Sequence, residues 1–293
     1  MVDSTPLSTS SWPAPAKINL FLHVVGRRAD GYHLLQTVFQ FLDFCDELDF
    51  VCRPDGQIRR TTELPGVLAD DDLVVRAARQ LQTATHCPLG VDITVVKKLP
   101  MGGGLGGGSS NAATVLVALN ALWQTRLDTS ELARIGLALG ADVPVFIAGQ
   151  AAWAEGIGEQ LTPIEVPMPH YLVISPGCQV PTAAVFRAPE LTRNTPIRTI
   201  HGLSLAECRN DCEPVTRRLF PEVGRVLDWL GQFAAARMTG TGACVFAPFT
   251  ERAAAETAGL KVPKPWSWFI ATGRNRSPLL DKLAAYSEQR ASN

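Results

Sequence analysis

The sequence has almost no net charge and no long hydrophobic run. Its 293 residues include 27 lysines and arginines against 28 aspartates and glutamates, which leaves a formal charge of −1. This balance provides no basic surface for nucleic acid or for an anionic membrane, so a phosphorylated ligand would have to be held by local groups. No run of about 18 apolar residues occurs, and the sequence therefore predicts no membrane span.

The cysteines form no recognisable framework. There are seven, they are scattered, and no Cys-x-x-Cys pair occurs. A disulfide scaffold is therefore not expected, and a reducing cytoplasm is the favoured location. His201, Cys208 and Cys212 match no zinc spacing and lack a fourth ligand, so no metal site is predicted from them. Residues 1–15 have neither the basic nor the apolar region of a signal peptide, and we expect them to be a short disordered lead-in.

An irregular alternation of strand and helix patterns predicts an α+β protein. Strand patterns occupy residues 16–26, 34–44, 46–52, 91–98, 150–156, 171–177, 236–249 around a glycine turn, and 266–273. Helix patterns occupy residues 70–85, 110–123, 128–140 and 251–260, with a last short helix after residue 273. Hairpin-like pairs beside crossovers favour two α+β domains over one regular parallel sheet. Because segment 162–171 holds three prolines, we expect domains at residues 1–163 and 164–293.

A glycine-rich segment directly before an apolar helical pattern is the most informative stretch. Six of the seven residues from Gly102 to Gly108 are glycine, and Ser109 and Ser110 follow. Successive glycine amides can point into one concavity, and a helix N-terminus adds partial positive charge to it. The serine hydroxyls could cap the helix or reach a phosphate oxygen or its metal ion. We interpret the segment as a phosphate cradle for a nucleotide.

Two other interpretations of this segment fit less well. A flexible linker would join domains, whereas this run lies between a strand and a buried helix. Gly102, Gly104 and Gly107 satisfy the G-x-G-x-x-G pattern of dinucleotide-binding oxidoreductases, but a run so rich in glycine matches it almost unavoidably. The acidic residue that such a fold requires is missing, because Asp128 has the position of a helix cap. The P-loop is excluded by the absence of any Gly-Lys pair, and the protein-kinase motifs H-R-D and D-F-G are also absent.

Three motifs in a characteristic order resemble a known family. They are 15-PAKINLFLHVVGRRADGYHLLQTVF-39, 100-PMGGGLGGGSSNAA-113 and 239-TGTGACVFA-247. Together they are similar to the three motifs of the GHMP kinases, named for galactokinase, homoserine kinase, mevalonate kinase and phosphomevalonate kinase. The resemblance implies an N-terminal domain of the ribosomal protein S5 domain 2-like fold and a C-terminal ferredoxin-like domain. The first motif, together with 140-GADVPVF-146, resembles members that phosphorylate a cytidyl-bearing alcohol of the non-mevalonate isoprenoid route.

The resemblance implies an ATP-dependent small-molecule kinase that uses Mg²⁺. Lys17 and Asp142 would be the catalytic pair: Asp142 would take the proton from the substrate hydroxyl, and Lys17 would keep Asp142 ionised and offset charge on the phosphoryl group. The residues that bind ATP would be Lys97, Pro100, Met101, Gly102, Gly103, Gly104, Leu105, Gly106, Gly107, Gly108, Ser109 and Ser110. The residues that bind the cytidyl substrate would be Asn19, Tyr32, His33, Thr182, Phe186, Gly240 and Gly242.

Two positions depart from the family pattern. Asp72 stands where the family usually has asparagine, and because a carboxylate cannot donate, no adenine contact is carried over to it. Thr239 stands where serine is common, and this change keeps the hydroxyl.

The alternatives that remain are another small-molecule GHMP kinase, a non-enzymatic nucleic-acid binder, since the S5-like fold also occurs in the ribosome, and a dinucleotide-dependent oxidoreductase. The near-zero net charge argues against the second. The expected partners are ATP and a small cytidyl substrate, with no nucleic acid and no membrane. The expected assembly is a monomer or a weak homodimer.

Overall fold

Strands and helices of the chain alternate as in an α+β protein. The structure is a computed structural model and describes residues 11–63, 66, 68, 70–200 and 207–292. In chain order the elements are β1 (Trp12–Arg27), β2 (His33–Arg53), β3 (Ile58–Arg60), α1 (Leu73–Thr85), β4 (Gly90–Val96), α2 (Gly107–Leu122), α3 (Thr129–Leu137), α4 (Val143–Ala148), β5 (Ala152–Glu155), β6 (Gln160–Pro163), β7 (His170–Ser175), α5 (Thr182–Arg187), α6 (Glu213–Leu219), α7 (Pro221–Leu230), β8 (Arg237–Met238), β9 (Val245–Phe249), α8 (Arg252–Gly259), β10 (Ser267–Arg274) and α9 (Pro278–Ala291).

The long strand β2 joins the two halves of the sheet. Along the main path the strand order is β3-β4-β2-β10-β7-β9-β8, while β1 and β5 also pair with β2 and β6 pairs with β5. Residues 47–53 of β2 pair with β4, residues 41–42 pair with β10, and residues 37–39 pair with β5. Strand β1 runs antiparallel to β2 along nearly its whole length. One strand therefore carries contacts to both the N-terminal and the C-terminal elements.

Helix α2 is the centre of the N-terminal core. Its residues 110–119 are all buried, as expected of a helix that is apolar on every side. It packs with α1, α3 and α4 against one face formed by β1 and β2. A second apolar cluster lies among α5, α6, α7 and α8 on the C-terminal strands. The central position of α2 fixes the site of its N-terminus, where the glycine segment ends.

The sequence predicted most of these elements, and the differences have local causes. Helix α2 begins at Gly107 instead of residue 110, because Gly106 adopts the left-handed N-cap conformation at φ 74° and the next two glycines form the first turn. Helix α1 begins at Leu73, and Asp72 is its N-cap rather than a residue of its first turn. The predicted strands 34–44 and 46–52 are one strand, β2. Strands β3 and β6, of three and four residues, were too short to be predicted.

The other helix and strand boundaries shift by a few residues. Two of these differences concern α3 and α9. Helix α3 ends at Leu137 rather than at the predicted residue 140, and Asp128 caps it as predicted, in a capping box with Glu131. The final helix, α9, has 14 residues and is not short. The disordered lead-in predicted over residues 1–15 is wrong from Trp12 onwards, because β1 begins there and the Trp12 side chain is buried in the core. Residues 1–10 of that lead-in lie outside the described residues, as does His201. The domain division at residue 163 stays a prediction.

The sequence predicted no disulfide scaffold and no membrane span. All seven cysteines lie in the described residues, and no disulfide bond forms between them. Within that part of the chain, no helix combines the length and apolar character that crossing a membrane requires.

The packing of α3 on α4 depends on a glycine and gives a first testable prediction. A Cβ on Gly136 would lie 2.7 Å from both Val143 Cγ1 and Ile147 Cδ1 of α4. Gly136→Ala is therefore expected to lower the free energy of unfolding by about 1–3 kcal/mol through overpacking, even though alanine is the better helix former. The measurement is urea denaturation followed by circular dichroism.

Gly224→Ala is the matched control for this prediction. Gly224 is also buried in a helix, α7, but a Cβ there would meet its nearest atom, Arg217 Cγ, at an ordinary 3.6 Å. This variant should keep or slightly raise the stability, because alanine costs less backbone entropy than glycine. Equal stability of the Gly136→Ala protein and the unsubstituted protein would contradict the packing of α3 on α4.

Candidate active site

One cavity of about 1180 Å³ brings residues of all three motifs together. It is lined by elements from both halves of the chain, including the turn before β2, the glycine segment, the start of α4, helix α5 and the turn after β8. Of the site residues predicted from the sequence, the lining includes Lys17, Asn19, Tyr32, His33, Lys97, residues 100–109, Asp142, Thr182, Phe186 and Gly240. A volume of this size is enough for a nucleotide and a second small substrate.

Two predicted residues do not line the cavity. Ser110 is fully buried in the first turn of α2, and its hydroxyl has no hydrogen-bond partner in the described part of the chain. Gly242 is not in the lining, and a Cβ there would lie 3.0 Å from Met238 Sδ and 3.2 Å from Thr216 Cγ2. The structure therefore places Ser109, rather than Ser110, where its hydroxyl can meet a ligand in the cavity.

The ammonium group of Lys17 is buried and fully coordinated. Its residue is 3% exposed, so its charge needs close acceptors. Nζ donates to Asn19 Oδ1 at 2.7 Å and to the Gly104 carbonyl at 3.2 Å. It also forms an ion pair with Asp142 Oδ2 at 3.3 Å and lies 5.2 Å from the centre of the Phe39 ring. Lys17 is thus not a solvated lysine at the beginning of a strand.

Asp142 is the first residue before α4, but it does not cap that helix. Its side chain makes no capping hydrogen bond to the helix, and it is 35% exposed towards the cavity that it lines. The carboxylate therefore combines a fixed cationic partner, Lys17, with access to a ligand. This arrangement suits a group that accepts a proton from a bound hydroxyl.

The carbonyl of Gly104 is the point where the three motifs meet. It accepts from Lys17 of the first motif and from the Thr239 hydroxyl of the third motif, at 3.2 Å in both cases. The same hydroxyl accepts the backbone N–H of Asn19 at 3.0 Å. A Cβ on Gly104 would lie 2.3 Å from the Thr239 carbonyl oxygen, so this approach requires glycine. The threonine at position 239 keeps the hydroxyl that the contact needs.

The N-terminus of α2 presents unpaired amides to the cavity. The first helical bond runs from the N–H of Ser110 to the Gly106 carbonyl, at 2.8 Å. The N–H groups of Gly107, Gly108 and Ser109 have no hydrogen-bond partner among the described residues, and all three residues line the cavity. The first turn contains no acidic side chain. Free amides and the positive end of a helix dipole together form a site for a phosphate group.

A buried carboxylate that the sequence did not reveal fixes the strand before the glycine segment. Asp46 is fully buried, and its Oδ1 accepts the backbone N–H groups of Lys98 at 2.7 Å and Leu99 at 2.8 Å. Its Oδ2 accepts from Asn111 Nδ2 at 3.0 Å and pairs with Lys97 Nζ. Asp46 therefore ties the entrance of the segment to the first turn of α2. Lys97 is held here beside the cavity, whereas Lys98 pairs with the surface residue Glu47.

A separate group of aromatic side chains lies at the turn between β1 and β2. The turn, closed by a bond from the N–H of Arg28 to the Tyr32 carbonyl, leaves Tyr32 59% exposed at the cavity. The His33 ring stacks on Phe186 of α5, with centroids 5.0 Å apart and an angle of 26°. This places an imidazole and two aromatic rings at one cavity.

His33 has a cationic neighbour that the sequence did not reveal. Arg193 Nε donates to His33 Nε2 at 3.1 Å. Burial lowers the pKa of His33 below its usual value, and the charges of Arg193 and Arg27 lower it further. The ring is therefore neutral at neutral pH, because its ordinary pKa is already near 6.5. Arg193 follows α5 in an extended segment without periodicity, so no local pattern indicated it.

The turn of the third motif is held from the C-terminal half. Asn210 Nδ2 donates to the carbonyls of Met238 at 2.9 Å and Gly240 at 2.8 Å. The hydroxyls of Thr182 and Thr241 are hydrogen-bonded at 3.2 Å. Thr182 thereby connects the start of α5 to this turn. Gly240 lines the cavity, and its left-handed φ of 56° allows the turn to approach the glycine segment.

The carboxylate of Asp72 interacts with other groups of the protein. Its Oδ1 accepts the N–H of Val74 at 3.0 Å as the cap of α1, and its Oδ2 forms a buried ion pair with Arg60 at 2.5 Å. Asp72 lines the cavity, but both carboxylate oxygens already have partners. This explains how an aspartate is accommodated where the family usually has asparagine.

Comparisons with known proteins agree with this geometry. The family model described as GHMP kinases N terminal domain matches residues 72–150, and the one described as GHMP kinases C terminal matches residues 190–267. Relatives from Alkalilimnicola ehrlichii and Nitrosococcus oceani are 60% and 58% identical over 272 residues. These alignments cover 93% of this chain in both cases and 94% and 97% of the relatives. Both relatives are named 4-diphosphocytidyl-2-C-methyl-D-erythritol kinase.

Solved structures show the same fold. A 4-(cytidine 5'-diphospho)-2C-methyl-D-erythritol kinase matches with a TM-score of 0.78 and 34% identity, over 90% of this chain and 99% of the other. Homoserine kinase from Cytophaga hutchinsonii matches with a TM-score of 0.68 and 19% identity, over 94% of this chain and 98% of the other, which shows the fold alone. The predicted α+β fold class is confirmed. The chain belongs to the GHMP kinase family, within its group of 4-diphosphocytidyl-2-C-methyl-D-erythritol kinases.

Proposed function

We propose that this protein transfers the γ-phosphoryl group of ATP to the 2-hydroxyl of 4-diphosphocytidyl-2-C-methyl-D-erythritol, giving the 2-phosphate and ADP, in the non-mevalonate route to isopentenyl diphosphate and terpenoids. The observation that carries this proposal is the content of one cavity. Free amides at the N-terminus of α2, the Lys17–Asp142 pair, and the aromatic group of Tyr32, His33 and Phe186 all line it. Relatives more than half identical over nearly the whole chain carry the name of this kinase.

The catalytic pair would act by charge and position. Phosphoryl transfer asks little covalent chemistry of a protein and depends on alignment, charge stabilisation and a group that orients or deprotonates the nucleophile. Asp142 would accept the proton of the 2-hydroxyl, and Lys17 would keep the carboxylate ionised and stabilise charge on the attacking oxygen and the phosphoryl group. Because Lys17 is held by Asn19 and Gly104 as well, its position does not depend on the substrate.

The phosphate tail of ATP would lie against the amides of residues 107–109. No cluster of lysine and arginine side chains is needed for this, because main-chain N–H groups and the helix dipole supply the positive potential. Lys97 Nζ, which lies 3.4 Å from the ideal Cβ position of Gly107, would add a donor at the same turn, with its charge paired to Asp46. Ser109 lines the cavity and would offer its hydroxyl to a phosphate oxygen or its metal.

Mg²⁺ would enter with the nucleotide instead of occupying a site built by the protein. Within the described residues, no group of three or more histidine, cysteine, aspartate or glutamate side chains could hold a metal ion. This fits the ion, since Mg²⁺ in kinases keeps several waters and binds one or two carboxylates plus substrate phosphates. Ser109 is the group that would reach it, and the ion would neutralise charge on the phosphates.

The cytidyl end of the substrate would occupy the aromatic group. Tyr32 and Phe186 offer rings for stacking on the pyrimidine, and His33 can hydrogen-bond to its edge. Thr182 and Gly240 would approach the substrate from the C-terminal half, and Asn19 would orient its polar groups.

We also propose that residues 1–163 form an ATP-binding domain and residues 164–293 a substrate-side domain. The proposed assembly is a monomer or a weak homodimer, and the proposed location is the cytoplasm.

A substrate panel tests the proposed function. With ATP and Mg²⁺, the cytidyl alcohol should be turned over faster than mevalonate or homoserine, with ADP release measured in a coupled assay and the product identified by ³¹P NMR. A new phosphomonoester signal is expected because the acceptor is an alcohol. Faster turnover of mevalonate or homoserine would assign the chain to another activity of the GHMP kinases.

The role of Asp142 gives a second prediction. Asp142→Asn keeps the size of the side chain but removes its charge and basicity, so kcat should fall about a hundredfold or more. The KM for ATP should change little, because the amides at the start of α2 remain in place. Steady-state kinetics measures both parameters.

Asp71→Asn is the matched control, because Asp71 is an exposed carboxylate of the same cavity without a contact to Lys17. Its kcat should stay near that of the unsubstituted protein. An Asp142→Asn protein that retains its turnover would remove Asp142 from the mechanism.

The stacking role of Tyr32 gives a third prediction. Tyr32→Ala removes the most exposed ring of the cavity, and a base–aromatic stack contributes about 1–3 kcal/mol. The KM for the cytidyl substrate should therefore rise by about tenfold or more, while the KM for ATP stays the same. Tyr32→Phe keeps the ring and should behave like the unsubstituted protein; a rise in both KM values for Tyr32→Ala would argue for a general loss of structure.

A further inference from the structure

Arg193 joins His33 to the end of helix α5 through five hydrogen bonds. Its Nε donates to His33 Nε2 at 3.1 Å. Its two terminal nitrogens donate to the main-chain carbonyls of four residues that end α5 and form the following turn: Ala188 at 2.7 Å, Phe186 and Leu191 at 3.0 Å, and Pro189 at 3.4 Å. The guanidinium is thus fixed on one side by the main chain and directed at the imidazole on the other.

This contact determines which nitrogen of His33 carries the proton. A guanidinium has N–H donors and no acceptor, so the atom that faces Arg193 Nε must be a nitrogen with a free lone pair. A flipped ring would turn a C–H group towards the donor, and a protonated ring would turn an N–H group towards it. Both are unfavourable, so Nε2 is unprotonated and Nδ1 carries the hydrogen of a neutral ring.

The other nitrogen remains for a ligand. The His33 ring lines the cavity, and in the described part of the chain no group hydrogen-bonds to its Nδ1. Phe186 stacks on one face of the ring, so the imidazole can turn little without losing this contact. His33 therefore presents one N–H donor of fixed direction.

We propose that Arg193 is a positioning residue that selects the pyrimidine of the substrate by fixing the Nδ1–H form of His33. The Nδ1–H group accepts a ring with a hydrogen-bond acceptor at N3, as cytosine has. It rejects uracil, because N3 of uracil carries a hydrogen. This inference rests on the proposed function, because it concerns the base end of that substrate. Rejection follows because two N–H donors would face each other and leave a buried polar group unpaired.

The first test observes the tautomer directly and needs no activity. In protein labelled with ¹⁵N-histidine, long-range ¹H–¹⁵N spectra distinguish the two neutral forms, and His33→Asn identifies the His33 signals. The unsubstituted protein should show the Nδ1–H form. Arg193→Met, which keeps an unbranched stem as far as the position of Nε but has no donor, should show a large shift towards the Nε2–H form. An Nε2–H form in the unsubstituted protein would overturn the inference.

The second test measures selection of the base. Calorimetry with CDP and UDP should show a preference for CDP of about tenfold or more in the unsubstituted protein. Arg193→Met should lose most of this preference and raise the KM of the cytidyl alcohol with little change in kcat. Glu190→Gln is the control, because it breaks the ion pair of the same turn with Arg218 without touching His33; it should keep the preference. An equal loss of the CDP preference in Arg193→Met and Glu190→Gln would mean that Arg193 has only a structural role, and it would overturn the inference.

A double substitution shows whether Arg193 acts through His33. In a His33→Asn background the amide can rotate to offer either a donor or an acceptor, so the preference should already be lost. Adding Arg193→Met should then change the CDP-to-UDP ratio no further, whereas an additional change would mean that Arg193 acts by another route. Failure of the proposed function is seen separately, as absent turnover of the cytidyl alcohol by a protein whose tautomer and CDP preference are as expected.

Discussion

The burial of one ammonium group is the constraint on which the candidate site depends. Lys17 is 3% exposed, and a charge removed from water is tolerated only where hydrogen-bonding partners replace the solvent. Its acceptors come from β1 itself, from the glycine segment and from the residue before α4. None of these segments alone could satisfy the charge. The site therefore forms when β1, the glycine segment and α4 have all packed against one another.

The glycine segment is fixed on both sides, which is why its amides can remain unpaired. On the cavity side the Gly104 carbonyl accepts from Lys17 and Thr239, and on the other side Asp46 binds the two N–H groups that precede the segment. A loop of six glycines would otherwise lose much conformational entropy on binding a ligand. Because the loop is already ordered in the folded protein, this entropy is lost on folding and not on binding of the nucleotide.

The sequence predicted the parts of the site that lie close together in the chain, and it missed the parts that depend on distant pairing. The glycine segment and the helix cap at Asp128 were predicted from local patterns, and the lysine of the first motif was implied by the resemblance to the GHMP kinases. Asp46 and Arg193 could not. Asp46 stands in a continuous strand pattern, and its partners lie more than 50 residues away, whereas Arg193 reaches His33 across 160 residues. The early start of α2 was also missed, because glycine has a low helix propensity and only the left-handed cap at Gly106 reveals the first turn.

The two ends of the cavity differ in how strictly they depend on side chains. At the nucleotide end the ligand would meet main-chain amides, so the local requirement is for glycine where a Cβ would collide, as at Gly104 and Gly106. At the other end, recognition would depend on the rings of Tyr32 and Phe186 and on a single imidazole proton. The first kind of site specifies a phosphate and no more, since every nucleoside triphosphate carries the same tail. Choice of the second substrate therefore falls to the segment 182–193 and the turn before β2, two parts of the chain that can change without disturbing the contacts of Lys17.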